Sequence, residues 1–157
     1  MFPKMSLQSM SLTSASKSAL VASGGGGGTE YDIDAYDGQT ITEEGDLVSP
    51  GYPTPYSTSG DTSWSVTFEA PVGQTIQVTV TEFDTTNTWY QRGLTGYNAG
   101  SATPIINKIY GSAVNNTGTF SGGTTLPIVF SSSGNEMTIV FDDWGASGTW
   151  KAEVAFV

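Results

Sequence analysis

Trp64-Ser65-Val66-Thr67-Phe68-Glu69 places a large apolar side chain at every second position and a polar one at each position between. Successive side chains of a β-strand point to opposite faces of its sheet, so this spacing describes a strand with one face in a core and the other in water. The same period of two recurs in Ile76/Val78/Val80, in Met137/Ile139/Phe141 and in Trp150/Ala152/Val154/Phe156. Four such strands need a second layer against which to bury their apolar faces, so the expected fold is all-β, an antiparallel β-sandwich. Trp64 and Trp150 each head a strand on its apolar face and are expected to fill the core.

Outward from these strands, turn signals recur at sandwich spacing: Asp37-Gly38, Ser49-Pro50-Gly51-Tyr52-Pro53, Pro71-Val72-Gly73, residues 96–100, Gly122-Gly123, Ser133-Gly134-Asn135 and residues 145–148. Further strands are expected around 31–35, 88–97, 104–110 and 126–130, and no helix of more than two turns. Twenty glycines and seven prolines in 157 residues fit a turn-rich β domain. That length suits one domain with an extension.

The extension is residues 1–28, a Ser- and Met-rich arm ending in five consecutive glycines, and the sandwich occupies 29–157. A glycine run has no side chain to pack and loses the most entropy on ordering, so it reads as a tether. Two readings of the arm stay open. It is disordered, or Phe2, Met5, Leu7, Met10 and Leu12 anchor it on another subunit of an assembly, with the methionine thioethers filling irregular grooves. Its longest apolar run, Ala19-Leu20-Val21-Ala22, is too short for a secretory signal, and no stretch approaches the roughly 20 apolar residues of a membrane span.

Charge and composition narrow the chemistry. The arm carries Lys4 and Lys17 and no acid, which leaves three cations (Arg92, Lys108, Lys151) against fifteen acids in the body, a net of −12. So acidic a body repels phosphate backbones and anionic lipid, and nucleic-acid and membrane partners are not expected. With no cysteine and no histidine, thiolate catalysis, disulfides, Cys-type zinc sites and Ser–His–Asp chemistry all drop out. Only a paired-carboxylate glycosidase stays open as an enzyme, and no acid pair stands out for it.

The order of motifs is specific. Gly45-Asp46-Leu47-Val48-Ser49-Pro50-Gly51-Tyr52-Pro53, Pro55-Tyr56, Trp64-Ser65-Val66 and the run 70–80 resemble the front half of a CUB domain. Lys108-Ile109-Tyr110-Gly111 resembles that family's Cys-Gly corner, and 131–141 followed by Gly148-Thr149-Trp150-Lys151-Ala152-Glu153-Val154 resembles its closing hairpin. The resemblance spans about residues 30–157 and implies a CUB-like jelly-roll sandwich. Independently of it, two prolines that fix φ and a glycine between them make 49–53 a rigid corner that leaves Tyr52 over the sandwich end.

The resemblance implies two disulfides, which this chain lacks; one pair falls on Thr88 or Trp89 with Tyr110. Aromatic packing or oligomerisation is expected to offset the roughly 2–5 kcal/mol of a lost bridge. It also implies a calcium site near one end, with Glu82 and Asp84 at its first acidic position and Asp142 or Asp143 at its last, while Gln91 stands after Tyr90 where an Asp is implied. The alternative is that these acids simply face water. Trp89, Tyr90, Arg92 and Tyr97 make a possible recognition face, with core packing the rival role for Trp89. Asn115-Asn116-Thr117 matches a glycosylation sequon, read as a chance match in a chain without a visible signal.

The functional expectation is a non-enzymatic binding or structural module at a virion surface or outside the cell. In one form it is an outward-facing subunit of a larger assembly, of virion-decoration or minor-capsid type, anchored by its arm to protein subunits. The alternative is a secreted calcium-dependent adhesion domain for a protein receptor or a glycan. No cofactor is expected beyond that possible calcium.

Overall fold

The computed structural model describes residues 28–87, 91–111 and 125–157. They form β1 (Thr29–Asp32), β2 (Thr40–Ile41), β3 (Gly45–Val48), β4 (Tyr56–Ser57), β5 (Asp61–Glu69), β6 (Ile76–Thr85), β7 (Gly93–Asn98), β8 (Ile128–Ser131), β9 (Glu136–Trp144) and β10 (Ser147–Phe156). One sheet runs β1-β3-β10-β6-β8 with β4 also paired to β10, and the other runs β2-β5-β9-β7. The interior pairs are antiparallel, and parallel pairing is confined to β1 on β3 and β2 on β5 at the sheet edges.

The period-two faces close on one another as the sequence predicts. Val66, Phe68, Met137, Ile139 and Phe141 from one sheet meet Ile76, Val78, Val80, Trp150, Ala152 and Val154 from the other, all buried. Burying each large apolar side chain contributes about 1.5–3 kcal/mol, so these strands carry most of the stability. Phe141 gathers four aromatic neighbours: Trp150 at 5.2 Å, Tyr56 at 5.6 Å, Trp64 stacked at 5.9 Å and Phe83 at 6.5 Å between ring centroids. At about 0.5–1.5 kcal/mol per pair, this cluster is of the same order as one disulfide. Thr88 and Trp89 lie outside the described residues, so the replacement of the bridge to Tyr110 is not described.

Several expectations shift in detail. Trp150 fills the core, but Trp64 sits at its rim: it is half-buried, stacked on Phe141, and donates its indole N–H to Asp34 Oδ1 at 2.8 Å. The strand expected at 31–35 is β1, which ends in a turn after Asp32; that at 88–97 is β7, and that at 126–130 is β8. Residues 104–110 form no strand and touch β7 through two isolated bridges, Leu94 with Ile109 and Tyr97 with Pro104.

Strand β6 continues past Thr81 because of a bulge. Against β10, Lys151 faces Glu82 while Ala152 faces Val80, so Thr81 is an extra residue. A bulge resets the side-chain phase. Inward positions change from 76, 78 and 80 to 83 and 85, which buries Phe83 and turns Glu82 to solvent. The 49–53 corner forms as expected: Tyr52 N–H donates to the Ser49 carbonyl at 3.1 Å, Ser49 Oγ accepts from Trp150 N–H, and Gly51 takes a φ of 69°. Gly45 is required for another reason: a Cβ there would run into the Thr29 carbonyl and the Tyr31 ring, so only glycine lets β1 lie along β3.

Candidate functional site

The candidate calcium ligands are distributed by strand parity. Asp142 and Asp143 are consecutive in β9 and so point to opposite faces. Asp143 is fully buried and its Oδ2 accepts from Thr58 Oγ1 at 2.5 Å, whereas Asp142 stands on the outer face, where Ser63 Oγ donates to Oδ1 at 2.6 Å and the Lys108 ammonium pairs with Oδ2. Glu82 and Asp84 lie on the outer side of β6 in the other sheet, and Glu82 accepts from the Tyr52 hydroxyl at 2.9 Å. Calcium takes six to eight oxygen ligands, and among the described residues no three acidic side chains come together to hold a metal. The four acids do not fit one calcium cage.

Asp143 Oδ1, the Tyr56 hydroxyl and the Trp150 indole N–H are buried with no hydrogen-bond partner among the described residues. Burial pushes the Tyr56 phenol far above its ordinary 10.0, and the Asp143 charge adds to the rise. On the six-stranded sheet, Tyr52 is raised by burial and by its bond to Glu82, while Lys151 is raised by its bond to Asp46, 2.8 Å away, against an opposing effect of burial.

Of the expected recognition residues, Trp89 and Tyr90 lie outside the described residues. Arg92 and Tyr97 belong to the β7 side of the four-stranded sheet, at opposite ends of the strand. Tyr97 is partly exposed and faces Thr138. Arg92 forks onto Asp61 at the start of β5, with Nη1 at 2.6 Å from Oδ1 and Nη2 at 3.1 Å from Oδ2. Asp61 is the register partner of Trp144, a residue that is 51% exposed. Trp144 continues the outward series Glu136, Thr138, Val140, Asp142, so its exposure follows from the same period of two that buries Phe141. One end of this sheet therefore presents an indole, a fixed guanidinium–carboxylate pair and the Ser63–Asp142–Lys108 network. Trp144, Asp61, Ser63 and Lys108 are the members that sequence reading did not single out.

The family model of the CUB domain matches residues 37–153. This chain belongs to the CUB domain family. Solved structures similar to this CUB domain include the CUB1-EGF-CUB2 domains of rat MASP-1, at 18% identity and a TM-score of 0.59 over 75% of this chain, and those of human MASP-1/3, at 19%, 0.56 and 73%. The full extracellular region of zebrafish Gpr126/Adgrg6 matches at 20% identity and a TM-score of 0.50 over 75% of this chain. At these identities the likeness is one of fold. The matches cover 42% of each MASP chain and 14% of the zebrafish chain, so those proteins contain much that this CUB domain does not. No curated protein matches the chain.

Proposed function

We propose that this CUB domain is a non-enzymatic binding module that works outside the cell and engages a protein or glycan partner with the Trp144 end of its four-stranded sheet. The observation that carries the reading is the pairing there of a half-exposed indole with an Arg92–Asp61 fork held in fixed geometry. Aromatic and Arg side chains supply large contact area at low entropic cost and dominate binding energetics where they occur. Local charge supports it too. Arg92 and Lys108, two of the three body cations, are each paired with an acid here, so this end lacks the strong negative field of the domain. The absence of histidine and cysteine from the whole chain supports binding over catalysis.

The test is to screen the full chain against an immobilised oligosaccharide panel and a panel of extracellular receptor ectodomains, alongside Trp144→Ala and Arg92→Ala. Loss of every wild-type signal in both variants is expected. Retention of those signals in both would place recognition elsewhere, and hydrolysis of any panel glycan would make the protein an enzyme.

Membership of a larger assembly is a second reading, favoured by one observation. β1 follows the glycine run directly in sequence and is the outermost strand of its sheet, so the described body begins at a sheet edge. The five arm anchors, Phe2 to Leu12, lie outside the described residues, and neither the family nor the similar structures point to a virion. Comparing the oligomeric mass of the full chain with that of a form lacking residues 1–28 decides this reading: an unchanged mass removes it.

A further inference from the structure

The resemblance implies a divalent cation between the residue after Tyr90 and the acids at the end of β9, and the acids proposed for it do not converge. Something else occupies that junction. Lys108 Nζ donates to the main-chain carbonyl of Gln91 at 2.8 Å and pairs with the Asp142 carboxylate. The two charged side chains are 23% and 16% exposed, and the second Asp142 oxygen is held by Ser63. We propose that Lys108 is a tethered cation that ties the 91–93 turn to β9, making this end of the domain independent of calcium.

The backbone delivers the ammonium to that spot. Leu94 and Ile109 exchange N–H···O bonds of 2.9 and 2.8 Å, which pins the segment before Tyr110 to the edge of β7. The approach requires Gly93: its φ is 138°, and a Cβ there would collide with the Ile109 carbonyl oxygen. Gly93 is also the register partner of Asp142, so it brings no side chain of its own to the place where the lysine head meets the carboxylate. A lysine ammonium is a compact charge with three donors, enough to hold a carboxylate and a carbonyl together. Unlike a free ion it does not dissociate, because its stem fixes its local concentration. A divalent cation approaching Asp142 meets a positive charge already bound there.

Arg92 lies inside the pinned turn, so Lys108 also fixes the guanidinium that forks onto Asp61. That consequence rests on the binding reading above; the cross-link does not. The test is therefore thermal melting of the full chain without any ligand. Its failure leaves binding by Trp144 and Arg92 untouched, and failure of the binding screen leaves the cross-link untouched.

Wild-type protein is expected to melt at the same temperature in excess calcium chloride and in EDTA. Lys108→Met and Asp142→Asn are each expected to lower the midpoint by about 3–8 °C. The double variant should fall by clearly less than the two losses together. Amide exchange at Gln91–Gly93 should speed up in Lys108→Met. A rise in wild-type melting temperature on adding calcium, or strictly additive losses in the double variant, overturns the proposal. If Lys108→Met does not fold, the calcium and EDTA arms on wild-type protein still decide it, joined by Lys108→Arg, which keeps the charge and should lose less than Asp142→Asn.

Discussion

The two sheets share one core but present different outer faces. The six-stranded sheet turns Glu30, Asp46, Glu82, Asp84 and Glu153 outward, with Lys151 as the cation among them, paired to Asp46. The four-stranded sheet turns out Ser63, Ser65, Thr67, Thr138 and Val140. Its charges are paired at the Trp144 end, and Glu69 faces Glu136 at the other. The charge of the body is therefore not spread over it. One layer keeps the domain soluble through repulsive acids, and the other keeps a nearly neutral stretch of hydroxyl, aromatic and paired groups suited to close contact.

The largest effect should come from breaking the parity that separates face from core. Exchanging the two residues after the bulge, Glu82→Phe with Phe83→Glu, turns a carboxylate into the core and a phenyl ring into water, and is expected to cost more than about 4 kcal/mol or prevent folding. Chemical denaturation checks this, and an exchanged variant within about 1 kcal/mol of wild type would show that the bulge does not set the faces.

Next in size is the removal of a cation from each face. In Lys151→Met the Asp46 side chain, only 13% exposed, is left unpaired, at an expected cost of about 1–3 kcal/mol. Arg92→Met strips a partner from Asp61, whose side chain is 62% exposed, and should cost under about 1 kcal/mol. Equal losses in the two variants would erase the distinction between the layers.

Alkaline pH sharpens it further. Tyr56, Tyr52 and Lys151 all have folded-state pKa values above their ordinary 10.0 or 10.5, so the unfolded chain gives up protons first. Their contribution is whole below about pH 10 and is lost as the pH rises beyond it. Melting temperature should fall through that window, and Tyr56→Phe, nearly neutral at pH 7, should flatten the fall. A Tyr56→Phe curve that parallels wild type would remove the phenol from the account. The smallest expected change is a gain: Glu69→Lys opposite Glu136 should stabilise by about 0.2–1 kcal/mol in denaturant titration, and a loss would mean that the like charges are not in contact.

The core strands were legible because a period of two sustained over five or more residues has no other good explanation. β2 and β4, at two residues each, are too short to show any period, and they form because longer neighbours offer them ladders. The end of β6 was hidden by the bulge, which breaks the pattern one reads. The placement of the four acids was partly legible, since neighbouring Asp142 and Asp143 must face opposite ways in a strand, whereas the outward turn of Glu82 depends on the bulge. Lys108 was not legible: it meets Asp142 across 34 residues of chain, and only the closing of 104–109 onto β7 brings them together.

The register Thr29–Gly45–Val154 sets the start of the body and the tail of β10 side by side, while the turn from Trp144 to Ser147 lies at the other extremity of the same strand. Chain enters and leaves at one pole, and the indole and guanidinium sit at the opposite one. Thr29 and Val154 are thereby held roughly a full strand length, about 30 Å, from the contact surface. A partner bound at the indole end is separated from both ends of the described body by the height of the sandwich.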